Sequence, residues 1–513
     1  MKNIVFGLGG QILNILMSFL MRTVFVNTLP AEYLGVNGLF TNILMVFSLA
    51  DLGVGTAIIY SLYKPIAVGD KQKIQALMNM YASAYRTIGL VIIGMGLAMT
   101  PFLDVFVKTD QDIPDLEIIF LLFVLNTASS YFLSYKGTLI TAHQKNYIVT
   151  NVVYSTSILC YGLQMLMMVL TKNYVLTLSI QVGTNMLQNI ITMIIANRMF
   201  PYIKGKNKMR LKQRERKKVF QNVRSMVFYR VGQVIINGTD SIVISAMVDI
   251  VAAGIYSNYL LLTTTIKNLL QQVFHAITAS IGNLSAVESD EKKYQAYNIV
   301  YFGNFWMFGF ASACFWSLFN PFITLWIGED MLLSEDVVLL IVLNFYLVGM
   351  RNVNITFRDT MGVFKEGRYV PMIAAALNII ISIWLAPSYG ILGVFIGTAV
   401  SMMASLFWME PMILFKHGFK RSVWPYFTKY LAYLAVTILC CVVTRAACDL
   451  LPVNTIGTFI VKLFICLIVP NAIIILFFMR TAAFKALTST VLGVIRRKAG
   501  RKAPKTAKGE SNG

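Results

Sequence analysis

Asp70-Lys71-Gln72-Lys73-Ile74-Gln75-Ala76 returns 220 residues later as Asp290-Glu291-Lys292-Lys293-Tyr294-Gln295-Ala296. At the same offset Pro101-Phe102-Leu103 meets Pro321-Phe322-Ile323, and Asp110 meets Asp330. Upstream, Gly10-Gln11 aligns with Gly232-Gln233 and Leu34-Gly35 with Ala253-Gly254; downstream, Tyr147 falls opposite Tyr369. Each match is short. Kept in order across six apolar segments, they indicate a duplication.

What is duplicated is a set of membrane spans. The 513 residues are 57% hydrophobic and only 13% charged, with a mean hydropathy of +0.67. A soluble chain carries about 25% charge. Apolar runs near the roughly 20 residues that cross a bilayer recur along the whole chain. They cover 4–26, 39–62, 79–100, 116–135, 148–170, 174–199, 226–248, 252–284, 298–327, 337–357, 370–385, 391–414, 430–445 and 457–479. The first run continues past Phe25 without an A-x-A site, so it reads as a retained helix, not a cleaved leader. The fold class is therefore an all-α polytopic membrane protein of about 14 transmembrane helices. It divides into two parallel six-helix lobes plus two C-terminal helices. The boundaries are an N-lobe over 1–200, a basic linker over 201–224, a C-lobe over 225–415, the last two helices over 416–480, and a basic tail over 481–513. Six spans per copy is an even number, so both copies have the same orientation. Two such bundles leave a cleft, and rocking one against the other gives alternating access.

Charge sets the orientation. With both termini cytoplasmic, the inside segments carry 34 Lys and Arg, and the outside segments only Lys108, Lys172 and Arg445. That is a strong positive-inside bias. The external loops hold acids instead, among them Asp104, Asp115, Glu329 and Asp330. The formal net charge of +21 is thus explained by cytoplasmic loops and calls for no nucleic acid. The linker can also lie on anionic headgroups.

Ionisable groups inside spans are costly and mark function. Five cations stand out: Arg22, Arg86, Arg230, Lys267 and Arg351. Two acids, Asp51 and Asp240, also lie well inside. A cleft with this surplus attracts an anion, and guanidinium forks suit phosphate. The blander alternatives are snorkelling for Arg22 and Arg230, and pairing of either acid with one of the cations. His275 reads as packed, and Asn237 and Asn258 as hydrogen-bonding glue between helices.

Other chemistries lack their residues. There is no G-x-x-x-x-G-K-[ST] loop for ATP, no H-E-x-x-H and no G-x-S-x-G elbow. Three histidines and six unpaired-looking cysteines give neither a metal centre nor a disulfide framework. No catalytic residue, metal or cofactor is expected.

The stretch from Phe19-Leu20-Met21-Arg22 to Leu29-Pro30-Ala31-Glu32-Tyr33-Leu34-Gly35 resembles the first-helix signature of polysaccharide-biosynthesis flippases of the Wzx type. Asp51-Leu52-Gly53-Val54-Gly55 resembles the second helix. Thr239-Asp240-Ser241-Ile242-Val243-Ile244-Ser245 with Gly254-Ile255-Tyr256-Ser257-Asn258-Tyr259 resembles the start of that family's second lobe. These proteins belong to the multidrug/oligosaccharidyl-lipid/polysaccharide exporter superfamily. The resemblance implies a flippase that moves an undecaprenyl-pyrophosphate-linked oligosaccharide from the inner to the outer leaflet of the bacterial cytoplasmic membrane. It implies a cationic cavity to which Arg22 and Lys267 contribute, with membrane lipids and polysaccharide assembly enzymes as neighbours. Two rivals stay in view. A multidrug cation antiporter of the same fold requires an acidic site, and a membrane-bound polysaccharide polymerase requires a catalytic site near a loop. With no nucleotide site, the driving force is an ion gradient, the membrane potential or consumption of product outside. Asp51 and Asp240 are the candidates for ion coupling, or for pairing with cleft cations to hold the lobes.

Overall fold

The computed structural model describes residues 2–48, 62, 65–66, 68–107, 113–143, 145–204, 213, 232, 235, 238–363, 366–451 and 455–489. Among the described residues the regular structure is helical, with no strand. The helices are α1 (Lys2–Thr28), α2 (Ala31–Phe47), α3 (Lys71–Phe106), α4 (Leu116–Ala142), α5 (Asn146–Thr171), α6 (Tyr174–Met199) and α7 (Gly238–Val248). They continue with α8 (Ile250–Val287), α9 (Asp290–Ile327), α10 (Glu335–Met361), α11 (Val370–Tyr389), α12 (Ile391–Phe419), α13 (Trp424–Asp449) and α14 (Ile456–Phe478). Every anticipated span meets one of these, and much of the second and seventh lies outside the described residues. Among the described residues nine helices are long and apolar enough to cross a membrane by length and composition. The chain is a multi-pass membrane protein.

Local chemistry places the helix ends. The Asp70 carboxylate accepts from the Lys73 N–H at 2.9 Å and starts α3; Asn173 does the same for Leu176 at the start of α6. Thr455 and Thr458 form a reciprocal capping box on α14. Between α11 and α12 the chain reverses at Gly390, whose φ of +58° suits a residue without Cβ. In the same hairpin Gly397 lies so close to Ser382 that a Cβ there would overlap its hydroxyl. This tight hairpin fixes one of the polar clusters described below.

Two compact units can be distinguished. The first comprises Met1–Thr265, Ile323–Ile341 and Lys365–Met409; the second comprises Ile266–Phe322, Val342–Phe364 and Glu410–Gly513. In the first, α1 packs on α5, α3 on α4, and α6 on both α4 and α5. Its core centres on α2, where Leu34, Val36, Leu39 and Phe40 are fully buried and Phe40 meets Phe120 edge-on. The start of α8 crosses α2 at backbone contact. A Cβ on Gly254 would sit 2.9 Å from Ala31 O and from Gly35 N, and one on Gly35 would overlap Ile250 O. Gly35 and Gly254 are the two glycines that the repeat aligns. In the second unit α13 packs on α14, and an aromatic core joins α9 to them. Phe305 stacks on Tyr433 at 4.2 Å, and Phe302, Phe305 and Tyr433 all touch Phe478.

Candidate functional site

The first unit carries a polar stripe on α6. Thr177, Gln181, Thr184 and Gln188 recur every three or four residues, which places them on one face, and Asn185 widens it. They line a cavity of about 520 Å³. Facing them are Thr156, Cys160 and Gln164 at four-residue spacing on α5, Ser18 and Arg22 on α1, Asn37 on α2 and Asn126 on α4. Among the described residues no Asp or Glu lines the cavity. Its volume lies within the roughly 300–1,000 Å³ of small-molecule sites.

Amides within a membrane protein must be hydrogen-bonded, because an unsatisfied polar group in hydrocarbon costs several kcal/mol. Several of those around the cavity satisfy one another. Gln164 Nε2 donates to Thr177 O at 3.1 Å, and Thr156 Oγ1 donates to Gln188 Oε1 at 3.0 Å. Asn185 Nδ2 donates to Asn126 Oδ1 at 3.0 Å and to Ser130 Oγ at 3.1 Å. Asn37 Nδ2 donates to Tyr174 Oη at 2.8 Å. Arg22 is the one cation among the described residues of the lining. Its Nη2 donates to Ser257 Oγ at 2.7 Å, whereas its Nε is buried and without a hydrogen-bond partner. A permanently charged guanidinium with an open donor, ringed by neutral amides and hydroxyls, is suited to an anionic oxygen.

A second polar cluster of the same unit joins α7, α11 and α12. Thr398 Oγ1 donates to Asp240 Oδ1 at 2.8 Å, and Asn378 Nδ2 donates to Thr398 Oγ1 at 2.7 Å. Thr239 Oγ1 donates to Asn378 Oδ1 at 2.8 Å. Among the described residues no Lys or Arg forms an ion pair with Asp240. The carboxylate therefore sits among neutral oxygens and an amide, an oxygen-rich setting that suits a proton or a hard cation.

The other anticipated residues are distributed differently. Arg86 lies on an exposed face of α3. Arg230 and Asp51 lie outside the described residues, as does Asn237 and the side chain of His275. Lys267 belongs to the second unit, half-buried, with no hydrogen bond or ion pair among the described residues. Arg351, in the same unit, is held by Glu410. Nε and Nη2 donate to the two carboxylate oxygens, each at 2.8 Å, with the side chains 8% and 5% exposed. Glu410 went uncounted in the sequence, although it falls within an apolar run; so did Lys462, which is 3% exposed in α14. Asn258 departs from the expectation of interhelical glue. It is completely buried, and neither its Nδ2 nor its Oδ1 has a partner. The amides of α5 and α6 were also missed, though their helical spacing was there to be read.

A many-helix membrane bundle with a polar, cation-bearing pocket inside one unit defines a transporter-like membrane protein. The chain belongs to the polysaccharide biosynthesis protein family, whose profile matches residues 1–279. No curated protein matches it. Several solved structures share its fold. The lipid II flippase MurJ in its inward closed conformation aligns with a TM-score of 0.67 at 12% identity, over 93% of this chain and 99% of that one. An inward-facing multidrug resistance MATE family transporter of the MOP superfamily gives 0.59 at 14% identity, over 79% and 96%. A MOP superfamily transporter from Pyrococcus furiosus, described as having a binding pocket of reverse polarity, gives 0.51 at 14%, over 81% and 94%. At these identities the likeness is one of fold.

Proposed function

We propose that the protein is a flippase that carries a polyprenyl-pyrophosphate-linked oligosaccharide from the inner to the outer leaflet of the bacterial cytoplasmic membrane. It works by alternating access, with both termini cytoplasmic and without covalent change to its cargo. The observation that carries this reading is the cavity of the first unit. It offers a guanidinium with an open Nε for phosphate, and amides and hydroxyls that pair with the hydroxyls of sugars. A cationic-drug antiporter would want a carboxylate there, and none of the described lining residues is one. Arg22 is the proposed phosphate ligand. Lys267, Arg86 and Arg230 remain proposed contributors along the path, whereas the Glu410 carboxylate gives Arg351 a sufficient structural role.

Two charges moved outward across an inside-negative membrane gain about 4.6 kcal/mol at 100 mV. The potential alone can therefore drive the cargo. The surroundings of Asp240 favour a coupled ion in addition, since its neighbours are Thr398 and Asn378 and no ion-pairing cation. Proteoliposomes with labelled lipid-linked oligosaccharide test the main reading. Relocation of unaltered cargo is expected; drug efflux or a new glycosidic bond in its place would refute it.

A further inference from the structure

The cavity has more to say about cargo than its phosphate. Among the described residues its lining combines one cation with six amide side chains and no acid. The Nε2 groups of Gln181 and Gln188 donate to nothing within the described protein, while their carbonyl oxygens already accept from Gln164 and Thr156. The two stand seven residues apart on one face of α6, about 10 Å along the helix axis. The open donors on this face thus form a row that leads away from a single charged residue.

We propose that this row reads the sugars nearest the phosphate, and that it selects uncharged sugars bearing hydroxyl or acetamido groups. This rests on the flippase reading above. Phosphate takes the open position of Arg22, so an acidic sugar finds no second cation among the described residues that line the cavity. Its carboxylate would be desolvated against neutral amides, which is costly. A cationic amino sugar fares no better, since no carboxylate lines the cavity and Arg22 repels it. Neutral hydroxyl and acetamido groups alone find both donors and acceptors. The amides supply these without a charge of their own, and each can accept at its oxygen while it donates at its nitrogen.

The test uses two synthetic polyprenyl-pyrophosphate disaccharides, identical except that the first sugar is an N-acetylated neutral hexose or a uronic acid. Binding to the purified full chain is measured by native mass spectrometry, and relocation is measured separately in proteoliposomes. Wild type should bind the neutral cargo at least about tenfold better, the equivalent of one good hydrogen bond or one unpaired charge. Gln181→Leu should weaken neutral binding by about tenfold. Gln181→Lys should raise uronic-acid binding above the wild-type level, a gain that misfolding cannot produce. Equal binding of both cargoes by wild type, no binding of either, or a preference unmoved by Gln181→Lys would overturn the inference. Discriminating binding without relocation would instead remove the flippase reading and leave the pocket assignment standing.

Discussion

Arg351 and Glu410 make a buried, bidentate ion pair in the second unit, and removing one partner has a calculable consequence. Arg351→Met leaves a carboxylate with 5% exposure facing an apolar side chain. Breaking a buried pair in this way costs about 3–5 kcal/mol, because the remaining charge keeps its desolvation penalty and loses its compensation. That is roughly two to four powers of ten in an unfolding or misassembly equilibrium. Glu410→Met should cost a similar amount through the stranded guanidinium. The double replacement removes both charges, and buried pairs exchanged for apolar groups are commonly neutral or more stable. The assay is thermal unfolding in detergent, followed by monodispersity on size exclusion, for the two single variants and the double. Both single variants should melt well below wild type, and the double should recover most of the loss. Transport by the double variant then separates the two roles of Arg351. If the pair is structural, the double moves cargo at nearly the wild-type rate. A single Arg351→Met variant as stable as wild type would refute the energetic argument, as would a double no better than the singles. A stable double without transport would return Arg351 to the cargo path.

Three further outcomes are expected. Arg22→Ala should lower flipping by about 10- to 100-fold, as for loss of a charge-assisted hydrogen bond of about 1.5–3 kcal/mol, with Arg22→Lys less affected; normal initial rates in proteoliposomes for the alanine variant would remove it from the phosphate site. Asp240→Asn should abolish any response of flipping to a Na⁺ or pH gradient while leaving the response to a clamped potential; a gradient response that survives the change would exclude Asp240 as the coupling group. A cysteine placed at Glu329, in the turn after α9, should react with an impermeant maleimide added outside intact cells; labelling only after permeabilisation would reverse the assigned orientation.

Most of the helix inventory was legible because a bilayer demands apolar length, and length survives averaging over a window. Even the shortest run, 370–385, proved to be part of a 20-residue helix, Val370–Tyr389. Charges flagged by a search for isolated ions were a poorer guide to the site. Such a search counts residues singly and overlooks their partners, so Arg351 stood out while Glu410, 59 positions away and next to Pro411, did not. The pocket itself has one cation and is otherwise neutral, and neutral amides scarcely disturb a hydropathy average. Their signal was periodic: Thr177, Gln181, Thr184 and Gln188 fall on one face, and a polar face within an apolar helix must have something polar opposite it. The pairing of Thr398 with Asp240 spans 158 residues and depends on the α11–α12 hairpin closing at Gly390, which local sequence does not reveal.

The mutual hydrogen bonds of the cavity amides bear on a stage of transport that cargo affinity leaves unexplained. A carrier has to make its return stroke empty. A binding site built from charges, once vacated and dehydrated, leaves those charges stranded and stalls the protein in mid-cycle. In this cavity Gln164, Asn185 and Thr156 already have partners within the protein, so closing around nothing sacrifices few bonds. Sugar hydroxyls would replace these contacts by exchange, one amide partner for another, and departing cargo would let them re-form. The open Nε2 groups of Gln181 and Gln188 are neutral and cost less to close over, whereas the Nε of Arg22 is the charged exception, buried without a partner among the described residues. The reset of the empty carrier should therefore be slowed chiefly at that one nitrogen, and an inorganic anion able to occupy it would speed the return while competing with cargo for entry.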